Sequence, residues 1–238
     1  SSIKKSFFKA SFGGENISFD LPAINHKKAL ELALKTMLKN KIIKSFKDIN
    51  AVGHRVVHGG EKYRKATIID QNLIKTVREL FGLAPLHNPP NLKTILACKK
   101  LLPKIKQVAV FDTSFHQSIS EKAYMYAIPR GFYEKYSIRR YGFHGTSHDY
   151  VSKKAIKLLK KKSSRIAICH LGNGSSITAV KNGKSVDTSM GFTPLEGLPM
   201  GSRSGDIDPA IIFFLIKKLK VKYAKVEEIL TKQSGLKG

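Results

Sequence analysis

Seven residues, His170-Leu171-Gly172-Asn173-Gly174-Ser175-Ser176, most narrow what this chain can fold into. They lie between two apolar runs, Arg165 to Cys169 and Ile177 to Val180, so their glycines join two strands and do not open a helix. That placement separates them from the Walker loop and from the dinucleotide fingerprint, both of which lead into a helix. Glycine lets backbone N–H groups approach an anion closely, and the two hydroxyls that follow suit a phosphate tail. The same spelling suits a tight β-hairpin turn, so the choice rests on the neighbouring segments.

Those segments alternate strand with helix. The stretch from Ser1 to Phe19 alternates loosely around Gly13-Gly14 and predicts a hairpin. From Lys27 to Asn40 apolar residues recur at helical spacing with lysines between them. Ala51 to Val57 predicts a short buried strand ending in a loop at His58-Gly59-Gly60, and Ile74 to Phe81 a helix that Pro85 to Pro90 interrupts. Asn91 is expected to cap the next helix, through Leu102, before the apolar strand Gln107 to Phe111 delivers Asp112 at its carboxyl end. Further on, His148 to Leu159 predicts a helix, Asn182-Gly183 a type I′ turn between strands Ile177–Val180 and Ser185–Thr188, and Pro209 to Leu219 an apolar helix entered through Asp206 and Asp208. A last helix includes Val226 to Leu230. This order argues for an α/β fold, in which ligands gather at the carboxyl ends of strands, where Arg55 and Asp112 stand.

The formal charge of +26 invites a nucleic-acid reading. Its make-up argues against one: 35 Lys against 8 Arg, scattered along the chain and not gathered in one arm. Such a surface still draws anionic substrates such as carboxylates and nucleotides. Cys98 and Cys169 sit in apolar segments and are expected to be buried, reduced thiols of a cytoplasmic protein. No apolar run has the roughly 20 residues of a membrane span, and the N-terminus has no signal-peptide pattern.

Against so much Lys, an isolated Arg carries information. Arg203 lies among small residues in Gly201-Ser202-Arg203-Ser204-Gly205, and Arg55 sits between Gly53-His54 and Val56-Val57-His58. A guanidinium offers a planar fork to carboxylate or phosphate that Lys lacks; a structural ion pair is the alternative for each Arg, but two such sites beside glycine turns favour anion binding. His54/His58 and His144/His148 have the i, i+4 spacing of a zinc pair, but neither pair lies in a clear helix with a Glu between its members. No metal ligands are therefore assigned; the histidines, grouped in apparent loops, suit hydrogen bonding to anions. Asp112 could be a general base, a Mg²⁺-facing carboxylate or a turn cap.

Six segments in order carry a family resemblance: Val52–Gly60, Pro85–Asn91, Phe111–His116, Tyr141–His148, the glycine-rich hairpin, and Met190–Gly197 leading into Arg203. Over roughly Leu21 to Gly238 the chain resembles the acetate kinases, the acetokinase family. The resemblance implies a two-domain, actin-like fold of the sugar kinase and Hsp70 ATPase type, with residues 1–116 in the N-terminal domain and 117–238 opening the nucleotide-binding one. It implies reversible phosphoryl transfer between ATP and acetate, with Mg²⁺, in a cytoplasmic homodimer without a membrane or a specific nucleic-acid partner.

By the same resemblance Arg55 and Arg203 hold the carboxylate and the migrating phosphoryl group, and His144 stabilises the transition state. His170, Leu171, Gly172, Asn173 and Gly174 face the ATP phosphates. Asp112 matches a proton donor or acceptor, with His87 nearby, and Val57, Leu86, Phe143 and Pro194 form the pocket for the acetate methyl. Chemistry questions one role: acetate is already ionised at pH 7, so it has no proton to lose. Asp112 is expected to act through Mg²⁺ or its waters, or by orienting an Arg. The chain lacks the family's first phosphate turn, Asn-x-Gly-Ser-Ser-Ser, and its adenosine-binding segments, so it is expected to be a fragment missing both ends, with little activity and weak ATP binding. The competing expectations are a propionate or butyrate kinase, and a degenerate basic protein that binds nucleic acid or another partner.

Overall fold

The computed structural model describes residues 5–22, 24–85, 87–161 and 163–238. It begins with an antiparallel hairpin, β1 (Lys5–Phe12) and β2 (Glu15–Pro22), turned by Gly13 and Gly14, both at positive φ. Helix α1 (His26–Lys39) follows, its first turn capped by the Asn25 side chain.

The first sheet has the order β3-β5-β4, from β3 (Ala51–Val56), β4 (Thr67–Ile68) and β5 (Lys106–Phe111). β3 and β5 are parallel and in register from Ala51 opposite Lys106 to Val56 opposite Phe111. Both strands therefore end at the same edge, and Arg55 and Asp112 come out side by side. Helices α2 (Gln71–Glu79) and α3 (Asn88–Leu101) cover this sheet, and Val56, Leu73, Ile95 and Phe111 meet in a dry core.

The start of α3 corrects the expectation of an Asn91 cap. The helix opens at Asn88, with Pro in its first turn, where a missing N–H costs no intrahelical bond. Asn91 already lies inside the helix, and its side chain accepts a hydrogen bond from Val57 N at 3.1 Å. Asn88 clamps His58 through both backbone groups, accepting from N at 3.1 Å and donating to O at 3.0 Å. The proline-rich segment thus fixes the loop that follows β3.

Short helices α4 (Glu121–Tyr124) and α5 (Gly131–Tyr136) lead to α6 (Gly145–Leu159). The second sheet is antiparallel, order β6-β7-β8, from β6 (Arg165–Leu171), β7 (Ser175–Lys181) and β8 (Lys184–Thr188). The β7–β8 turn places Asn182 and Gly183 at φ +52° and +76°, as its sequence predicts. Helices α7 (Pro209–Lys217) and α8 (Tyr223–Lys232) complete the described chain, with Asp208 capping α7.

Of the two cysteines only Cys98 is buried. Cys169 is exposed, because strand alternation on the edge strand β6 turns Ile168 inward and Cys169 outward. Among the described residues no helix is long and apolar enough to cross a membrane.

Candidate active site

The carboxyl ends of β3 and β5 supply the first pair of groups. Arg55 Nε and Nη2 donate to the Asp112 carboxylate at 2.9, 3.2 and 2.7 Å. The Asp112 side chain is only 2% exposed, whereas that of Arg55 is 63% exposed. Thr146 Oγ1 donates a further bond to Asp112 Oδ1 at 3.2 Å. Hydrogen bonding to Asp112 raises the Arg55 pKa, outweighing desolvation. The guanidinium is therefore a fixed cation whose outer edge faces solvent.

Helix α6 brings His144 to the same place. Its entry depends on Gly145, where a Cβ would stand 2.1 Å from Asp112 O, and Gly145 N donates to that carbonyl at 2.9 Å. His144 itself adopts φ +57°, ψ +19°, a left-handed conformation that costs a non-glycine residue free energy and recurs at functional sites. The structure corrects the reading of the histidines as loop residues for His54, in β3, His148, in the first turn of α6, and His170, in β6, whereas His144 precedes α6 and His58 and His87 lie in loops as expected.

The His144 ring stacks on that of His170, with centroids 4.0 Å apart and planes at 26°. Its Nδ1 meets Ser176 Oγ at 2.9 Å, and the same hydroxyl meets His148 Nε2 at 2.7 Å. Desolvation, aided by neighbouring cations and imidazoles, lowers the pKa of His144 to about 4 and that of His148 to about 3. Both rings are neutral at pH 7.

The glycine-rich segment is the β6–β7 hairpin, and Gly174 faces this cluster. A methyl group built there would stand 3.5 Å from Cε1 and Nε2 of His144 and 3.6 Å from Arg203 Nη1. Arg203 is carried by a loop anchored to the hairpin, where Gly201 N donates to Asn173 O at 3.2 Å. Its Nη1 also donates to Pro194 O at 2.9 Å, and desolvation lowers its pKa.

Two cavities flank these groups. One, of about 470 Å³, is bordered by Arg55, His144, His170, Gly172, Asn173 and Gly174. Leu171 points away from it and is 73% exposed. The other, of about 430 Å³, is bordered by Val57, His87, Phe143, Pro194 and Arg203. Phe143 is buried against Met190 and Met200, with Val57 packed on that cluster. Leu86 lies outside the described residues. His87 has its pKa lowered by desolvation and by Arg203.

Sequence reasoning missed several neighbours. Thr146, Ser147 and Tyr150 border the first cavity, and Leu83, Thr193 and the α8 residues Glu227, Thr231 and Lys232 border the second. Ser176 and His148 stand inside motifs quoted from the sequence, but their meeting behind His144 joins β7 to α6. The α8 residues carried no local signal beyond an amphipathic helix.

A profile described as the acetokinase family matches residues 2–238. The acetate kinase of Clostridium acetobutylicum is 52% identical over 240 residues, covering 99% of this chain and 60% of that protein. Among solved structures, an acetate kinase from Porphyromonas gingivalis superposes with a TM-score of 0.89 at 46% identity, over 96% of this chain and 59% of that one. A propionate kinase from Francisella tularensis superposes with a TM-score of 0.88 at 44% identity, over 93% and 57%. The chain thus spans about three-fifths of the length of the relatives it matches.

Proposed function

The chain belongs to the acetokinase family, and on that premise we propose that the protein transfers the γ-phosphoryl group of ATP reversibly to acetate, giving acetyl phosphate and ADP. One observation carries the reading: His144 and Arg203 both approach Gly174 of the glycine-rich hairpin, His144 from the cavity that Arg55 borders and Arg203 from the neighbouring one. In-line phosphoryl transfer needs reactants held in line and charge neutralised on the equatorial oxygens, and little covalent chemistry from the protein. A carboxylate oxygen attacks the γ-phosphorus as the bond to the β,γ-bridging oxygen breaks. Arg203 and His144 stabilise the charge in flight, Arg55 holds the acetate carboxylate, and the backbone of residues 172–174 faces the nucleotide phosphates.

Asp112 has no proton to remove from an ionised acid. Its place under Arg55 supports a positioning role, holding the guanidinium edge toward the incoming carboxylate. In this reading residues 1–116 form one domain, with the β3-β5-β4 sheet, and residues 117–238 begin the other, with the β6-β7-β8 sheet. The cytoplasmic setting and the homodimer belong to the same proposal and rest on the family resemblance.

Magnesium accompanies ATP in most kinases, where it would neutralise charge on the phosphates. Among the described residues no group of three or more His, Cys, Asp or Glu could hold a metal ion, and Asp112 is committed to Arg55 and Thr146. Magnesium is usually held by one or two carboxylates together with substrate phosphates and water rather than by a protein cage, so an ion arriving with ATP would rely mainly on the phosphates here.

A second reading, a longer-chain acid as acceptor, is favoured by the size of the cavity beside Arg203. Its volume of about 430 Å³ leaves room for an acid longer than acetate. Comparing kcat/KM for acetate, propionate and butyrate with the full-length protein tests both readings. Acetate preferred supports the first, propionate or butyrate preferred the second, and no acid-dependent ADP release rejects both.

A further inference from the structure

The Ser176 hydroxyl lies between two imidazoles but carries a single proton. Its Oγ is 2.9 Å from His144 Nδ1 and 2.7 Å from His148 Nε2, and both Ser176 and His148 are fully buried. Each ring is neutral and carries one N–H. Where the protons sit is therefore a counting problem with few solutions.

If Ser176 donates to His148 Nε2, the His148 proton must be on Nδ1. That atom is buried and has no hydrogen-bond partner among the described residues, so a donor would be stranded, which native interiors rarely allow. His144 would then donate from Nδ1 to Ser176 and turn a bare Nε2 lone pair toward the Gly174 loop. If Ser176 instead donates to His144 Nδ1, His148 donates from Nε2 to Ser176 and only a bare Nδ1 acceptor is left over. His144 then carries its proton on Nε2, the edge that faces Gly174 and Arg203. A third arrangement, with Ser176 accepting from both rings, leaves its own proton without a described acceptor.

We propose that Ser176 and His148 are positioning residues that fix the His144 proton on Nε2, so that the ring presents a hydrogen-bond donor to the anionic oxygens at the glycine-rich hairpin. The His170 ring, stacked 4.0 Å away, keeps the plane of His144 from turning. The inference rests on the proposed phosphoryl-transfer site for its catalytic consequence but not for its proton assignment. With the other tautomer, His144 would meet phosphate oxygens lone pair to lone pair.

Long-range ¹H–¹⁵N correlation of histidine side chains in the full-length protein near pH 7 reads the tautomer directly, whether or not the protein turns over acetate. His144 is expected as the single Nε2–H form; an Nδ1–H form or a mixture overturns the proposal. The functional arm compares two substitutions of nearly equal shape, Ser176→Thr, which keeps the hydroxyl, and Ser176→Val, which removes it. The Val variant is expected to lose about 10- to 100-fold in kcat relative to the Thr variant, at a KM for acetate within about 2-fold. Equal kcat in the two variants overturns the positioning role, and should neither fold, the wild-type spectrum alone decides. Ser185→Ala serves as a control, removing a buried hydroxyl bonded to His116 Nδ1 at 2.9 Å; it is expected to lower stability and leave the His144 tautomer unchanged. A wild-type spectrum as expected, in a protein without acetate-dependent activity, would reject the proposed function and leave the proton assignment standing.

Discussion

Arg55 and Asp112, 57 residues apart in sequence, form a forked ion pair with contacts of 2.7, 2.9 and 3.2 Å across the carboxyl ends of two parallel strands. The geometry favours a role for Asp112 as the seat of a guanidinium. Asp112→Asn is therefore expected to lower kcat by about 100-fold, since one misplaced positioning group can cost that much, with a loss independent of pH between 6 and 9. Arg55→Lys restores charge without the fork and should not recover the wild-type rate. A pH–rate profile decides: a basic limb lost together with Asp112 would mark it as an acid or base.

Gly174 and Gly145 should respond in opposite ways to the same added methyl group. At Gly174 a Cβ meets His144 and Arg203 at ordinary contact distance, 3.5–3.6 Å, so Gly174→Ala should fold but occupy space needed by the phosphoryl group. Its kcat/KM for ATP is expected to fall at least about 10-fold, at nearly unchanged melting temperature. Gly145→Ala would put Cβ 2.1 Å from a backbone carbonyl and should destabilise by about 3 kcal/mol or more. Thermal unfolding beside steady-state kinetics separates the two.

Buried neutral histidines make the fold sensitive to acid. Burial lowers the pKa of both His58 and His116 from 6.5 to about 4. Between pH 6.5 and 4 the unfolded chain binds protons that the folded one refuses, so stability is full above pH 6.5 and is lost as pH falls toward 4. Two such groups give a slope approaching ~2.7 kcal/mol per pH unit within that window. Urea unfolding at pH 5, 6 and 7 should show the midpoint rising with pH; a flat midpoint would contradict the neutral assignment.

The parts legible in the sequence are those whose signal is local. The Asn182-Gly183 turn follows from residues that tolerate positive φ, and the strands that end beside Arg55 and Asp112 follow from short apolar runs. The start of α6 was hidden because its entry uses a left-handed His144 and a glycine chosen for contact with Asp112 O, neither of which is a capping signal. Pro89 and Pro90 read as a break, although they occupy the first turn of α3. Cys169 read as buried because an apolar run does not say which strand is at an edge. The Ser176 hydroxyl between His144 and His148 is a tertiary contact, beyond any spacing rule.

The cavity beside Arg203 yields a prediction about acid length. Thr231 borders it from α8, far in sequence from the motifs. Thr231→Leu should narrow that end and raise the acetate-to-butyrate ratio of kcat/KM by about 10-fold, the discrimination expected for one or two methylenes. An unchanged ratio would show that acids do not extend toward α8.

The central claim is that Arg203 and His144, meeting at Gly174, carry a phosphoryl group from ATP to a carboxylate. Its most direct test traps acyl phosphate with hydroxylamine while ADP is followed in the same sample of full-length protein, wild type and Arg203→Ala. The account requires acid-dependent hydroxamate and ADP in equal amounts from wild type, and a loss of both by about 100-fold or more in the variant. ADP released without acid, or hydroxamate unaffected by the loss of Arg203, would contradict it.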